Sequence, residues 1–221
     1  MKINVIKLTD VELLRKANSF TTGKDSKMTL DKAYRYGHSP IRTQLFWIEL
    51  TGIPLFVASQ LVRSHVGVQF FQRSKRIDRG GESFVVECHD FGQRLDLLAE
   101  KCNPGLSDEE ADRITDVLND MEKEIKTFPS RFDRYAPTDL AFIINAEALM
   151  NMAHKRLCTK ASAETRGVMM SICEKVRGID PALAGYLVPQ CVYRGGICPE
   201  PKGCGYNRTD ICRRQIDYIK G

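Results

Sequence analysis

The segment from Asn145 to Arg166 constrains the fold most, because polar and charged side chains recur in it at helical spacing within an otherwise apolar stretch. Asn145 and Arg156 are eleven residues apart, so on a continuous α-helix their side chains would point within about 20° of each other. An amide and a guanidinium on one helix face can hold a flat, polar ligand. The alternative is an amphipathic helix whose polar face simply meets water.

The length of the chain allows one domain, and its net charge favours a small anionic ligand. A chain of 221 residues is long enough for one full hydrophobic core. The net charge of +5 suits a phosphate-bearing small molecule. Lys and Arg are dispersed rather than clustered among aromatic residues, so nucleic acid is not an expected partner. No apolar run has the length of a signal-peptide core or a membrane span, and we expect a cytoplasmic location and no membrane partner.

Local patterns predict alternating strands and helices in a single domain spanning residues 1–221, with a Cys-rich tail at residues 188–221. Strands are predicted at residues 3–8, 41–50, 66–72 and 83–88. Helices are predicted at residues 10–17, 29–36, from Pro54 onward, at 107–126, within 145–166, at 161–176 and, as a short last helix, from Thr209. Residues 128–139 are predicted to be a connector.

A group of basic residues follows the helix that begins near Pro54. Arg63, Ser64 and His65 end that helix, Gln60 precedes Arg63 by about one turn, and the run Arg73-Ser74-Lys75-Arg76 comes about ten residues later. Guanidinium groups bind phosphate through paired hydrogen bonds, and a serine hydroxyl with loop amides can complete such a site. The alternative is a solvated basic loop.

Four cysteines crowd the tail: Cys191, Cys198, Cys204 and Cys212. Four thiols can form a tetrahedral zinc site, although these spacings lack the C-x2-C pair that is typical of zinc sites. Free thiols or a disulfide are the alternatives. A zinc ion there would stabilise the tail rather than catalyse a reaction.

Several enzyme classes are excluded by missing motifs. The sequence contains no dinucleotide-binding G-x-G-x-x-G after a strand, no Walker loop, no G-x-S-x-G and no H-E-x-x-H. Cys88 and His89 are adjacent, so on a strand their side chains would point to opposite faces, which does not suit a nucleophile and its base.

Taken together, the basic run and the helical segment resemble the flavin-dependent thymidylate synthases, also called ThyX. The family signature is R-H-R, seven residues, then S-x-R. The run from Arg63 to Arg76 keeps the first Arg and the S-x-R, but it contains one extra residue and has Ser64 and His65 in the other two positions. His38 lies 25 residues before Arg63, as a family histidine near the flavin does, whereas Pro40 and Thr43 replace the family's nearby Ser/Thr and Glu.

The second half of the resemblance has no gap. The family pattern is N-A-R, then Asn, then L-R, then A-Q-x-E-x-R. The stretches that resemble it here are, in the same order, Asn145-Ala146-Glu147, Asn151, Lys155-Arg156 and the run Ala161–Arg166. The departures are Glu147 for Arg, Lys155 for Leu and Ser162 for Gln. The matched region extends from His38 to Arg166, and the Cys-rich tail lies outside it.

The resemblance implies an α/β (α+β) fold with a central sheet flanked by helices, assembled as a homotetramer with active sites at subunit interfaces. It implies FAD reduced by NADPH. Methylenetetrahydrofolate would supply a methylene group to C5 of dUMP, and flavin hydride would reduce it to give dTMP. The family uses no cysteine nucleophile.

By position, Arg156 would contact the uracil ring and stabilise negative charge as C5 becomes nucleophilic. Ser74 and Arg76 would hold the dUMP phosphate, and Gln60 would also contact the nucleotide. The expected FAD ligands are Arg63, Asn145 and Asn151, together with His38 and His65. A further phosphate-binding arginine corresponds to either Arg131 or Arg134.

Two other functions fit parts of the sequence. The altered R-H-R segment and Glu147 would suit an enzyme that methylates C5 of another pyrimidine nucleotide, UMP or dCMP. The basic loop and the four tail cysteines would suit a non-catalytic, zinc-stabilised protein that binds nucleotides or nucleic acid.

Overall fold

A computed structural model describes residues 1–73 and 136–220, together with five separate residues between them, namely Ser107, Asp112, Arg113, Asp116 and Arg134. Spatial contacts divide the chain into two compact units, Met1–Arg73 with Pro137–Gly221, and Ser74–Ala136. The predicted strand at 83–88 and most of the predicted helix at 107–126 lie outside the described residues, and the single domain of residues 1–221 stays a prediction. None of the helices in the described ranges combines the length and apolar character required to cross a membrane.

The first unit is built on a four-stranded antiparallel sheet. Its strands are β1 (Lys2–Lys7), β2 (Leu45–Pro54), β3 (Val68–Gln72) and β4 (Pro137–Asn145), in the spatial order β1-β2-β4-β3. Phe46 of β2 lies opposite Ile144 of β4, and Phe70 of β3 lies opposite Phe142. Alternate residues of β2 and β4 are fully buried, as expected for strands with one face on the core.

Helices pack against this sheet, so the predicted mixed α/β class is confirmed. In chain order among the described residues they are α1 (Val11–Thr22), α2 (Leu30–Tyr36), α3 (Leu55–Leu61), α4 (Ala146–Arg156), α5 (Ala163–Ile179), α6 (Pro181–Ala184), α7 (Gln190–Tyr193) and α8 (Asp210–Lys220). Backbone N–H groups in the first turns of α1, α2, α4 and α5 donate hydrogen bonds to the side-chain oxygens of the capping residues, which are respectively Asp10, Thr29, Asn145 and Ser162.

The predicted strand at 41–50 is wrong at its beginning. Ser39–Thr43 form a 3-10 helix with Pro40 in its first turn, and the Thr43 hydroxyl donates to the Pro40 carbonyl at 2.7 Å. β2 therefore begins at Leu45. It continues beyond the expected end because Gly52 adopts φ +68° at an irregularity between Leu50 and Ile53, where its N–H bonds to Asp139.

The predicted connector at 128–139 is wrong at its end, and the central strand β4 was not predicted. Pro137 already belongs to β4, which pairs with both β2 and β3. The run from Leu140 to Ile144 is apolar on both faces. Because the half-buried face of β4 is apolar as well, the sequence lacks the apolar–polar alternation that identifies a strand.

The segment Asn145–Arg166 is two helices rather than one. Asn145 has an extended backbone, φ −83° and ψ 161°, and caps α4. The chain then turns through residues 157–161, and Ser162 caps α5. Asn145 and Arg156 therefore do not share one helix face in the way that a continuous helix would place them.

The remaining elements agree with prediction within a few residues. β1, α2, β3, α5 and α8 occur where expected, and Gly37 ends α2 with φ +62°. α1 continues to Thr22, beyond the predicted end. Pro54 precedes α3 rather than occupying its first turn.

The tail packs through a small apolar cluster of its own. Val188, Cys191 and Val192 around α7 pack against Cys212 and Ile216 of α8. This cluster places α8 beside α7, beyond the main core.

Candidate functional site

The loop after α3 reaches the start of α4, bringing the two halves of the sequence motif together. The Asn145 N–H donates to the Gly67 carbonyl at 2.9 Å, and the Asn145 side-chain oxygen accepts from the Ala148 N–H at 2.9 Å. Gly67 has φ +73°, and a Cβ there would lie 2.4 Å from Nδ2 of Asn145. Only glycine allows this close approach. The loop from Arg63 to Gly67 thus ends against the cap of α4.

Arg156, the last residue of α4, meets the end of α3. Its Nη2 donates a hydrogen bond to the backbone carbonyl of Gln60. Its Nε is buried and has no hydrogen-bond partner among the described residues. Desolvation and, to a smaller extent, the nearby charge of Arg63 lower the pKa of Arg156. Two guanidinium groups are therefore held within electrostatic reach of each other.

The side chain of Gln60 is oriented by the first turn of α5. The Thr165 hydroxyl donates to Oε1 of Gln60 at 3.1 Å, and the Ser162 hydroxyl donates to Oγ1 of Thr165 at 2.9 Å. Thr165 is completely buried, whereas Gln60 is half-buried. Because Oε1 of Gln60 is occupied, its NH₂ group remains to donate to a ligand. Thr165 was missed by the sequence analysis, although its spacing from Ser162 is that of a helix cap.

Glu147 and Arg42 form a paired contact at the start of α4. Nε of Arg42 lies 2.6 Å from Oε2 of Glu147, and Nη2 lies 3.3 Å from Oε1. The hydrogen bond that Arg42 donates to the Glu147 carboxylate raises the pKa of Arg42. Arg42 was also missed from sequence. It places a guanidinium beside Glu147, the residue that stands where the resemblance expects Arg.

The other expected flavin ligands lie on the surface of the first unit. Asn151 is exposed on α4, and His65 is exposed in the loop after α3. His38 precedes the 3-10 helix, and its exposed ring lies 5.9 Å from that of Tyr36. No hydrogen bond between described residues joins His38 or Asn151 to Arg156, so their roles stay predictions.

Most of the expected phosphate site lies outside the residues that the structure describes. Ser74, Arg76 and Arg131 are outside the described residues, and Arg134 belongs to the second unit. Their roles in binding the nucleotide phosphate therefore stay predictions.

The tail cysteines do not form the predicted zinc site. In the described ranges, no group of three or more His, Cys, Asp or Glu side chains is arranged to hold one metal ion. Cys212 is fully buried in α8, where it hydrogen bonds with Cys191, whereas Cys204 is exposed on the loop before α8. The four cysteines predicted as zinc ligands thus range from fully buried to exposed.

Comparison with known proteins connects this arrangement to one family. Residues 7–182 match the model of a family described as thymidylate synthase complementing protein. A flavin-dependent thymidylate synthase of Clostridium tetani is 27% identical over 195 residues, which cover 80% of this chain and 76% of the relative. A flavin-dependent thymidylate synthase of Sulfurisphaera tokodaii is 22% identical over 183 residues, covering 77% of this chain and 65% of the relative.

A solved structure supports the fold. The crystal structure of thymidylate synthase X (ThyX) from Helicobacter pylori with FAD and dUMP is similar with a TM-score of 0.54 and 18% identity, over 85% of this chain and 99% of that one. The family model covers well over half of the chain, from the end of β1 to the start of α6. The chain therefore belongs to the family described as thymidylate synthase complementing protein.

Proposed function

We propose that this chain is a flavin-dependent thymidylate synthase, which methylates dUMP at C5 to give dTMP. FAD, NADPH and methylenetetrahydrofolate are the cofactors and co-substrates. Family membership and the names of the two relatives support this activity.

The observation that carries the proposal is the unneutralised pair Arg63 and Arg156. Arg156 is half-buried, and Arg63 is near enough to lower its pKa. Within the described part of the chain, neither guanidinium has a carboxylate partner. Arg63 is exposed, so water screens part of the repulsion, but a half-buried Arg156 beside a second positive charge favours the binding of an anion there. A nucleotide and a dinucleotide cofactor are both such anions.

Arg156 is the residue that we assign to the reacting base. Its Nη2 is fixed by the Gln60 carbonyl, and its Nε is buried without a partner among the described residues. A fixed guanidinium in a low-dielectric setting stabilises negative charge that develops on the pyrimidine ring. Gln60, oriented by Thr165, would donate its NH₂ group to a carbonyl oxygen of the same ring.

Arg63 and Asn145 are assigned to the cofactor. Arg63 offers a positive charge to the cofactor phosphates, and Asn145 fixes the loop that carries Arg63 through Gly67. When bound, FAD supplies the hydride that converts the transferred methylene into a methyl group. The other residues proposed to bind FAD are His38, His65 and Asn151. Ser74 and Arg76 are proposed to bind the phosphate of dUMP.

The direct test is synthesis of dTMP by the purified protein. We expect a yellow protein that releases dTMP from dUMP when NADPH and methylenetetrahydrofolate are present. Substituting Arg156→Ala should reduce turnover by about 10²- to 10³-fold, the usual effect of removing one charge-stabilising donor. Lys155→Ala is the matched control, because Lys155 is its exposed neighbour on α4.

Parallel reactions with UMP and dCMP test the nucleotide. The pairing of Glu147 with Arg42 changes the start of α4 and motivates these substrates. Methylation of either one without any dTMP would overturn the assignment to dUMP. A colourless protein that cannot take up FAD would overturn the flavin-dependent reaction altogether.

Assembly and location stay predictions. The resemblance implies a homotetramer with sites at subunit interfaces, which sedimentation of the purified protein would test. A cytoplasmic location is expected from the sequence.

A further inference from the structure

A cavity of about 770 Å³ lies between α4, α5 and the tail, apart from the site around Arg156. His154 lines this cavity, whereas Gln60, Arg63 and Arg156 are not among the described residues of its wall. His154 and Arg156 are two positions apart on α4, which is about 200° around the helix, so their side chains leave it on nearly opposite sides. A molecule bound in the cavity would therefore not occupy the proposed catalytic site.

The tail closes one side of this cavity. Its contributions come from the segment before α7, from α7 itself, from the loop that follows and from α8; they include Pro189, Cys191, Cys204 and Gln215. All of these residues lie beyond residue 182, where the family match ends. Ligand sites in proteins commonly have volumes of about 300–1,000 Å³, so the cavity is large enough for an organic molecule.

The buried ring of His154 lacks a hydrogen-bond donor on the side of Nε2. His154 is 5% exposed, and its Nε2 has no hydrogen-bond partner among the described residues. Its other ring nitrogen donates to the Tyr186 carbonyl, and the ring stacks on Tyr193 with centroids 4.3 Å apart. Burial lowers the His154 pKa to about 4, so the ring is neutral at pH 7 and Nε2 is an acceptor. An unpaired buried acceptor is costly, and a ligand with an N–H or O–H group would satisfy it.

The wall also offers a hydrogen-bond donor and apolar surface. The Tyr206 hydroxyl donates to Oε1 of Gln215 at 3.0 Å, so the NH₂ group of Gln215 remains to donate to a carbonyl oxygen of a ligand. Leu157, Met170 and Leu187 supply apolar surface, and the methionine thioether makes favourable contacts with flat rings. A planar ring that carries both N–H and C=O groups matches this combination.

The charges of the wall favour an anion. Four cations line the cavity, against the two exposed carboxylates Glu174 and Glu200; the cations are Lys155, Lys160, Arg166 and Arg177. Within the described ranges, none of the four has a carboxylate within 4.0 Å. Nη1 of Arg166 donates to the Ala161 carbonyl at 3.3 Å, which holds its guanidinium at the wall. Guanidinium and ammonium groups of this kind bind phosphate.

We propose that this cavity is a second, non-catalytic nucleotide site, in which a base N–H group donates to Nε2 of His154 while Lys160 and Arg166 hold the phosphate. Nε2 is itself covered by its neighbours, so the base reaches it with a small shift of the side chains that line the cavity. A carbonyl group of the base accepts from Gln215. A pyrimidine mononucleotide and a nicotinamide dinucleotide share this chemistry, and the experiment separates them.

Cys204 reports on this site, because it is an exposed thiol in the cavity wall. The full-length protein is alkylated with iodoacetamide in the presence of dTMP, NADP⁺ or inorganic phosphate, and mass spectrometry follows the Cys204 peptide. At about ten times the Kd roughly one site in ten stays empty, so alkylation should slow about tenfold. Protection by dTMP identifies a mononucleotide site, and protection by NADP⁺ alone a dinucleotide site.

Protection by neither nucleotide overturns the proposal, and so does equal protection by inorganic phosphate, which would show that the base is not bound. The labelling depends neither on flavin nor on dTMP synthesis, so its failure is distinct from failure of the proposed function. Arg156→Ala should keep the protection, because Arg156 lies on the other side of α4. Loss of protection in that variant would place the nucleotide in the catalytic site and overturn the second site.

Two variants test the assigned contacts. His154→Phe keeps a flat ring beside Tyr193 but removes the acceptor, and Lys160→Ala removes one phosphate contact. Each should raise the Kd of the protecting nucleotide about two- to tenfold, the effect of losing one hydrogen bond. Lys160 is exposed, so Lys160→Ala decides the question even where His154→Phe fails to fold. Lys175→Ala, an exposed position of α5 outside the cavity wall, is the matched control. An unchanged Kd in Lys160→Ala, or an equal rise in Lys175→Ala, would overturn the assignment.

Discussion

The hydroxyl of Thr165 donates a hydrogen bond to the side-chain oxygen of Gln60, 105 residues earlier in the chain, at 3.1 Å. The Ser162 hydroxyl supports Thr165 from the start of α5. Ser162 stands where the resemblance expects Gln. The first turn of α5 therefore acts on the proposed nucleotide site through Gln60 rather than by touching the nucleotide.

Removing this hydroxyl should weaken nucleotide binding. Thr165→Val keeps the side-chain shape but leaves Oε1 of Gln60 without its donor, so the carboxamide can rotate. The loss of one such hydrogen bond is worth about 0.5–1.5 kcal/mol, so the KM for dUMP should rise about two- to tenfold. Thr165→Ser retains the hydroxyl and should stay close to the unsubstituted enzyme. An unchanged KM in Thr165→Val would contradict the positioning role.

Gly67 should be intolerant of a side chain for two separate reasons. Its φ of +73° disfavours other residues, and a Cβ would lie 2.4 Å from Nδ2 of Asn145. Gly37 shares the first reason but not the second, since it has φ +62° and nothing within 4 Å. Gly37→Ala should lower the free energy of unfolding by about 1–2 kcal/mol. Gly67→Ala should cost about 1–3 kcal/mol more, because the clash displaces the Asn145 side chain.

Urea unfolding of the two variants and fluorescence titration with FAD measure these effects. Gly67→Ala should also bind FAD more weakly, since the loop that carries Arg63 would move away from α4. Gly37→Ala should bind FAD normally. Equal losses of stability in both variants would mean that the contact with Asn145 is unimportant.

The parts of the site that sequence predicted are those that depend on local order along the chain. Arg156 was placed by its position in a helical segment and by the family pattern, and its guanidinium donates to the Gln60 carbonyl in the candidate site. Asn145 was placed on the same helix face, yet its backbone is extended and its side chain caps α4. Whether Asn145 caps a helix or continues one depends on where β4 ends. The sequence did not predict β4, so it could not predict that Asn145 is a cap.

Contacts between distant segments could not be predicted from sequence. The pairs Gln60–Thr165 and Arg42–Glu147 depend on how α3, α5 and the 3-10 helix pack against the sheet. β4 was missed for a related reason, because a central strand gains both of its partners from distant segments. The burial of the tail cysteines could not be predicted either, since Cys212 is buried by the packing of α8 against α7 whereas Cys204 is exposed.

The contact between Arg42 and Glu147 should affect the flavin rather than the stability of the fold. The Arg42 side chain is exposed and the Glu147 side chain is partly exposed, so the pair itself contributes little to folding. We expect Arg42→Ala and Glu147→Gln each to weaken FAD binding several-fold, because Glu147 holds the Arg42 guanidinium in place. The double variant should be no weaker than Arg42→Ala, which a fluorescence titration would measure. Additive losses would show that the two residues act separately.

An exposed ion pair elsewhere supplies the comparison. Glu12 and Arg15 form an ion pair on the surface of α1. Glu12→Gln should leave both FAD affinity and the free energy of unfolding nearly unchanged.

Asp180 should be the most sensitive charged position for folding in the first unit. Its carboxylate is almost completely buried and accepts hydrogen bonds from Nζ of Lys7 at 2.7 Å and from the Tyr34 hydroxyl at 2.8 Å. It also caps α6 through the N–H of Leu183 at 3.0 Å. One side chain thus joins β1, α2 and α6. Asp180→Asn removes the negative charge that pairs with Lys7 and turns one acceptor oxygen into an NH₂ donor.

Breaking a buried ion pair costs about 3–5 kcal/mol, and the partial exposure of Lys7 places the expected loss for Asp180→Asn at the lower end, about 3 kcal/mol. Tyr34→Phe removes one hydrogen bond and leaves the ion pair, so it should cost about 1–2 kcal/mol. Burial and the neighbouring Asp180 raise the pKa of Tyr34, so its hydroxyl stays protonated and keeps donating. Urea unfolding at pH 7 would measure both variants. If Tyr34→Phe proves as costly as Asp180→Asn, the stability lies in the packing of the tyrosine ring rather than in the carboxylate.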